Sequence, residues 1–241
     1  RGNTYVIAMF KGTVTVGGLS ATNPGTLTLE NPQGRASLLA KLNHRGQAQW
    51  LRYIDGSLDL ARLSVDDSGA VLVSGSHTSK LIANGQIASK NDYRSAVLLR
   101  YLPDGTLHWL RDYKYFSSPG SAEINAVACA GTNIWIGGFF NATLQVGAYQ
   151  ATTTPAAPWY FFSRLDTNGT AYWLATHGGG AQYVRLGTGT DGVLWAAGAF
   201  GLLRGDELAG ELGADLVFAP GGGFAFRFGL VLCREILDEP F

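Results

Sequence analysis

RYLPDGTLHWLR, residues Arg100 to Arg111, reads as a strand, a tight turn on Asp104-Gly105 and a returning strand that carries Trp109. The construction occurs twice more, as KLNHRGQAQWLR from Lys41 to Arg52 and RLDTNGTAYWLA from Arg164 to Ala175. In each copy a basic residue (Lys41, Arg100, Arg164) stands five positions before the turn glycine (Gly46, Gly105, Gly169). A tryptophan (Trp50, Trp109, Trp173) follows that glycine by four, and then a leucine. A glycine between two apolar runs is the local signal for a β-hairpin. Three hairpins with one grammar predict a repeat architecture.

Working outward, an apolar run ending in small residues precedes each hairpin: YVIAMF from Tyr5, VLVSGS from Val71, IWIGGF from Ile134, and again LWAAGAF from Leu194. Gly75, Gly138 and Gly198 fall 63 and 60 residues apart, and Met9 takes the matching place 66 before Gly75. Upstream of the later three runs lies another apolar segment (Leu60 to Val65, Ile124 to Ala130, Tyr183 to Gly187), joined to its run by a short Gly/Asp/Asn turn. One unit of about 60 residues therefore holds four strands. No long 3.6-residue apolar stripe supports a helix. Four-stranded antiparallel units at this period predict an all-β fold, a β-propeller of about four blades, closed on itself or part of a larger ring. The single repeat domain divides into units of approximately 1–56, 57–118, 119–178 and 179–241. In this reading the repeated tryptophans are packing anchors between blades, with carbohydrate stacking as the sharper alternative.

Composition narrows the function classes. The 241 residues carry 18 basic and 18 acidic side chains, so there is no electrostatic footprint for nucleic acid or an anionic membrane surface. No apolar run reaches the length of a membrane helix. Apolar residues make up 46% and charged ones 15%, which fits inner strands buried on both faces. The two cysteines, Cys129 and Cys233, make no disulfide framework, and Cys129 reads as a small core residue. Starting at Arg1 with Met9 as its single methionine, the sequence is expected to be a processed product or a piece of a longer chain.

The cycle of an apolar strand ending in small residues and Phe, a [KR]-[LY]-x-x-x-G-x-x-x-W-L hairpin and a D-x-G turn resembles the SBBP-type bacterial β-propeller repeat. The resemblance runs from Tyr5 to Phe200, with ATHGGGAQYVRLGTGTDG (Ala175 to Gly192) as its most typical linker. It implies a secreted or cell-surface bacterial protein, of a kind found beside adhesion modules and mostly without assigned catalysis. The chain departs from the pattern after Phe200: Phe224 to Phe228 suits a third strand, but no turn glycine and tryptophan follow it. The first unit also lacks its first strand.

No motif specifies a catalytic residue, a cofactor or a metal. Gly187 to Gly192 matches G-x-G-x-x-G, but a dinucleotide site needs a helix after it, and VLWAAGAF is a strand. The histidines His44, His77, His108 and His177 have no metal-ligand spacing. Asp66, Asp67, Asp104, Asp166 and Asp191 sit at turns, where aspartate caps the local backbone. A hydrolase or lyase would need several blades to send carboxylates or a histidine into one mouth; only His77, His177 and Asp112 qualify, and nothing in their spacing pairs them.

Recognition is expected on the connections between strands, since loops on a rigid scaffold carry contacts. The longest connection of its class, DYKYFSSPGSA from Asp112, holds Tyr113, Lys114, Tyr115 and Phe116. Aromatics beside small polar residues suit a glycan or protein partner, and Tyr53 and His177 are expected on the same face. The plainer reading is that these rings cover the edge of the blade. The leading function is thus a non-catalytic binding or scaffold module; a propeller hydrolase or lyase and a spacer within a large adhesin are the alternatives.

Overall fold

The computed structural model describes residues 2–28, 31–88, 94–113, 120–153, 158–178, 184–188, 194–198, 214–219 and 223–228. These residues form strands and turns with no helix among them, in antiparallel sheets.

The first sheet contains β1 (Thr4–Phe10), β4 (Ala36–Leu42) and β5 (Ala48–Asp55), and β2 (Gly12–Val16) with β3 (Leu19–Asn23) is a hairpin between its first two strands. The second sheet has β6 (Asp59–Val65), β7 (Val71–His77), β10 (Ser95–Tyr101) and β11 (Leu107–Tyr113) side by side in chain order. Between β7 and β10, the hairpin of β8 (Leu81–Ala83) and β9 (Gln86–Ala88) leaves its own sheet and pairs with β5 of the first. The third sheet repeats the plan with β12 (Ser121–Ala130), β13 (Asn133–Asn141), β16 (Trp159–Leu165) and β17 (Ala171–Gly178), and β14 (Thr143–Val146) with β15 (Tyr149–Thr152) is its inserted hairpin.

The fourth sheet departs from this plan. β18 (Val184–Thr188) and β19 (Leu194–Gly198) pair as before, and β21 (Gly223–Phe228) lies beside β19 where a third strand is expected. Its outer position is taken by β20 (Ala214–Ala219), which precedes β21 in the chain and reaches it across a short hairpin.

The three quoted hairpins share one geometry. In each, the turn closes with the same pair of backbone bonds, as where Leu102 N–H donates to Thr106 O and Gly105 N–H to Leu102 O, both at 2.8 Å. Each basic residue lies directly across from its tryptophan (Lys41 from Trp50, Arg100 from Trp109, Arg164 from Trp173), with a register shift just beyond. That register corrects one alignment: with Lys41 matched to Arg100, Ala8 and not Met9 occupies the place of Gly75.

The second sheet is buried on both faces, as its unalternated apolar strands require. Val71, Val73, Val97, Leu99 and Leu110 pack with Leu39, Trp50 and Ile54 of the first sheet. Leu72, Leu98, Trp109 and Tyr113 pack with Ile124, Ile136, Phe140 and Phe161 of the third. Side chains at alternate positions of β10 therefore serve two different cores.

The Trp-Leu-Arg sequence holds neighbouring sheets together. Trp50 and Arg52 point to the same face of β5, and both reach the hairpin turn of the second sheet. Trp50 Nε1–H donates to Pro103 O at 3.0 Å, and the Arg52 guanidinium donates to Gly105 O at 2.5 Å and Asp104 O at 2.9 Å. One sheet further on, Trp109 Nε1–H donates to Thr167 O and Arg111 to Asn168 O, both at 2.9 Å. Each guanidinium lies over its own tryptophan, at 5.4 and 5.3 Å from the ring centroid. In the third hairpin Ala175 replaces the arginine.

The basic residue of each hairpin serves a different end. Arg100 bonds Asp66 at 2.7 Å, in the turn between the first two strands of its own sheet, and Arg164 bonds Asn133 at 2.9 Å in the corresponding turn. Among the described residues no strand precedes β1 to form such a turn. Lys41 instead crosses to Pro103 O of the second sheet, at 2.9 Å.

Candidate functional site

A cavity of about 300 Å³ opens between the first two sheets, lined by Arg52, Tyr53, Asn84, Tyr101, Gly105 and Thr106. β5 supplies Tyr53, the tight turn between β8 and β9 supplies Asn84, and the second hairpin turn supplies Gly105 and Thr106. Pairing of Ile54 with Ala83 brings that β8–β9 turn alongside Tyr53. Tyr53 is 41% exposed and meets Phe10 edge-on at 6.1 Å. Burial of its phenol, and then the charge of Asp55, push it above the ordinary tyrosine value. The one cation in the lining is already committed, since Arg52 donates to three backbone carbonyls, at Leu51, Asp104 and Gly105. The other lining residues, Tyr53, Asn84, Tyr101, Gly105 and Thr106, are uncharged. Those groups stack on and hydrogen-bond to a neutral polyhydroxylated ligand better than they hold an anion.

Of the residues singled out from sequence, Tyr53, Tyr113 and His177 lie among the described residues and do not come together. Tyr113 is 5% exposed and lies in the core between the second and third sheets, so its ring serves packing. Lys114, Tyr115 and Phe116 lie outside the described residues. His177, half-buried on β17 opposite Tyr160, has a buried Nδ1 with no hydrogen-bond partner. Tyr53, Tyr113 and His177 sit at corresponding ends of β5, β11 and β17, but alternation turns Tyr53 to the opposite side of its sheet from Trp50 and Arg52.

Two groupings were invisible in the sequence. His77 and Asp112, whose separation of 35 positions gave no reason to pair them, meet at 3.2 Å (His77 Nε2 to Asp112 Oδ1). They come together because β10 lies between β7 and β11, with Gly75, Val97 and Asp112 in one row. His77 is fully buried and its Nδ1 lies 2.9 Å from Ser79 O, so the pair pins the exit of β7 within the protein and does not present a reactive group.

The second grouping spans two sheets. Glu123 on β12 is 1% exposed and accepts a bond from Arg94 at 3.0 Å. Asp59 and Arg62, on β6 of the second sheet, also act on its charge. Burial pushes the Glu123 carboxyl above its ordinary value, and Arg94 and Arg62 pull it part of the way back. The readable signal was SAEINAVACA, where Glu123 and Asn125 stand two apart in an otherwise small and apolar strand. The sequence reading began that strand at Ile124 and left Glu123 outside it.

No protein-family model matches the chain, and no curated protein is similar to it at a significant level. The geometry above carries the functional argument by itself.

Proposed function

We propose that the chain is a non-catalytic binding and scaffold module whose sheets are the blades of a β-propeller, in a secreted or cell-surface bacterial protein of the SBBP-repeat kind. Support for the propeller comes from sheets stacked in sequence, the first stapled to the second and the second to the third by a tryptophan and an arginine, with β6, β12 and β18 following one another along one side. The localisation rests on the sequence resemblance.

The contact is a glycan held at the groove between the first two sheets, and the carrying observation is that cavity, whose single cation is already bonded and whose other lining residues are uncharged. About 300 Å³ is the lower end of ligand-pocket volumes, enough for one sugar ring. A glycan array probed with the full chain tests the reading. Tyr53→Ala is expected to abolish the signal while leaving the melting temperature within a few degrees. An array silent for both proteins, or a signal unchanged in Tyr53→Ala, would sink the glycan assignment; capture of a protein ligand lost in the same variant would reassign the groove.

One observation favours the hydrolase reading: Asp59 and Glu123 bring carboxylates from two adjacent sheets into one charged neighbourhood. The burial of Glu123 and its bond to Arg94 favour a structural ion pair, so binding is the stronger conclusion. Hydrolysis of an array glycan by the wild type, lost in Glu123→Gln, would reverse that order.

A further inference from the structure

One residue lining the cavity breaks the grammar of the repeat. The position after the basic residue of each hairpin holds Leu42 in the first, Tyr101 in the second and Leu165 in the third. Leu165 is fully buried in the core between the second and third sheets. Tyr101, 1% exposed, takes the matching place between the first and second. Leucine meets the packing demand of that place, so the fold has no need of the Tyr101 hydroxyl.

That hydroxyl has no hydrogen-bond partner among the described residues, yet it is not sealed in the core as the unpartnered Tyr113 hydroxyl is. It opens on the cavity that Tyr101 lines. A polar group withdrawn from bulk water is costly until something in the cavity bonds to it. Burial pushes the phenol above the ordinary tyrosine value, and the Arg52 charge pulls it part of the way back. At neutral pH the group therefore keeps its proton and can donate it to a hydrogen bond.

Acceptors are scarce around it. The carbonyls of Asp104 and Gly105 already accept from Arg52, and a guanidinium only donates. A ligand alcohol placed against Tyr101 would bring a proton of its own to satisfy, whereas a carbonyl oxygen brings only lone pairs. A carboxylate would shed its water for a guanidinium whose three nitrogens each already bond a backbone carbonyl.

We propose that the cavity selects an N-acetylated amino sugar, whose amide carbonyl accepts a hydrogen bond from the Tyr101 hydroxyl. The exposed Asn84 and Thr106 are left to the ring hydroxyls. This rests on the glycan reading of the same cavity and narrows it to one class of sugar. Tyr101 is then the specificity-determining residue: a sugar with a hydroxyl in place of the acetamido group leaves the phenol unpaired and binds about tenfold more weakly.

The test titrates the full chain by calorimetry with N-acetylglucosamine and N-acetylgalactosamine, each beside its parent hexose and the corresponding uronic acid. The wild type is expected to bind one of the acetamido sugars about tenfold more tightly than its parent. Tyr101→Phe keeps the ring, and in it that sugar should fall to the affinity of the parent while the parent is unchanged. Without ligand this variant should melt no lower than the wild type, since the hydroxyl it removes had no partner. Tyr101→Leu, which installs the residue of the other two hairpins, should lose the same preference and decides the matter should the first variant misfold. A parent hexose or uronic acid bound as tightly as the acetamido sugar, or a preference that survives Tyr101→Phe, overturns the proposal and leaves the glycan reading standing. A lower melting temperature in unliganded Tyr101→Phe overturns it too, by showing the hydroxyl bonded within the protein. No binding of any sugar overturns both readings.

Discussion

Replacing Gly105 with alanine tests the sheet-to-sheet staple, because the same substitution at Gly46 is its internal control. Both glycines close the same hairpin turn, with φ of +84° and +75°. A Cβ in that region costs about 1 kcal/mol wherever it is placed. At Gly46 nothing lies within 4 Å of the added carbon, so Gly46→Ala should cost that amount and no more. At Gly105 the added carbon would stand 2.7 Å from the Arg52 guanidinium nitrogen and 2.8 Å from Trp50 Cδ2. Neither neighbour can move without breaking its bonds to the turn, those to Pro103 O, Asp104 O and Gly105 O.

Losing one charge-assisted bond of this kind costs about 1.5–3 kcal/mol. With the backbone strain included, Gly105→Ala should cost about 3–4 kcal/mol against about 1 for Gly46→Ala. Equilibrium unfolding in guanidinium chloride, followed by tryptophan fluorescence, gives both values. In an Arg52→Met background part of the obstruction is gone, and the cost of Gly105→Ala should fall by about 1 kcal/mol or more, a coupling expected for groups in contact. Equal costs at the two glycines would refute the idea that Trp50 and Arg52 read the turn of the next sheet.

Other consequences concern buried charge and the single cysteine of the third sheet. Asp66 is held below its ordinary carboxyl value: burial opposes ionisation, but bonds from Ser68, Arg100 and the Ala70 amide outweigh it. A depressed carboxyl contributes stability above the unfolded value of 3.8 and loses it as pH falls through the folded one. Asp66→Asn should therefore cost about 3 kcal/mol at neutral pH, by stripping Arg100 of its buried partner, and converge on the wild type in acid melts. Glu123 carries the opposite sign, because burial raises it; its contribution is full below the unfolded value of 4.5 and is lost as pH rises through the folded one. Glu123→Gln should raise the melting temperature at neutral pH and match the wild type at pH 4, and a variant less stable at neutral pH would show the Arg94 pair to be net stabilising. Burial pushes the Cys129 thiol up to about 11, so alkylation at pH 8 should be slow until the protein unfolds, which mass spectrometry of the labelled peptide reads directly.

What could be read from the sequence is what repeats. The hairpin grammar at Lys41, Arg100 and Arg164 placed β4, β5, β10, β11, β16 and β17, and the small-residue runs placed β1, β7 and β13. The inserted hairpins escaped notice although LIANGQIA carries an Asn-Gly turn, the strongest short hairpin signal, which Asn84 answers with a φ of +45°. Each lies where the repeat was expected to run as a loop, and the Thr-Val alternation of β2 is only five residues long. In the fourth sheet the third strand lies where the sequence placed it, but β20 fills the outer position from the other side of β21, and no local pattern announces a change of strand order.

Site residues were harder to see for a reason that follows from the architecture. In a stack of sheets the side chains that meet come from different units, so their sequence separation is set by the length of a unit and not by any motif. Trp50 finds Pro103, Trp109 finds Thr167, and Arg94 finds Glu123 across 53, 58 and 29 positions. Repetition makes the first two predictable once one is known, because the partner in both is the residue two before the turn glycine of the next hairpin. Glu123 is matched in the second sheet by Asp59, which no sequence alignment of the hairpins reveals, and Tyr53 and Asn84 line one cavity only because β8 leaves its own sheet to pair with β5. Function in such a chain is carried where units differ, and those are the positions at which a reading based on their likeness has least to say.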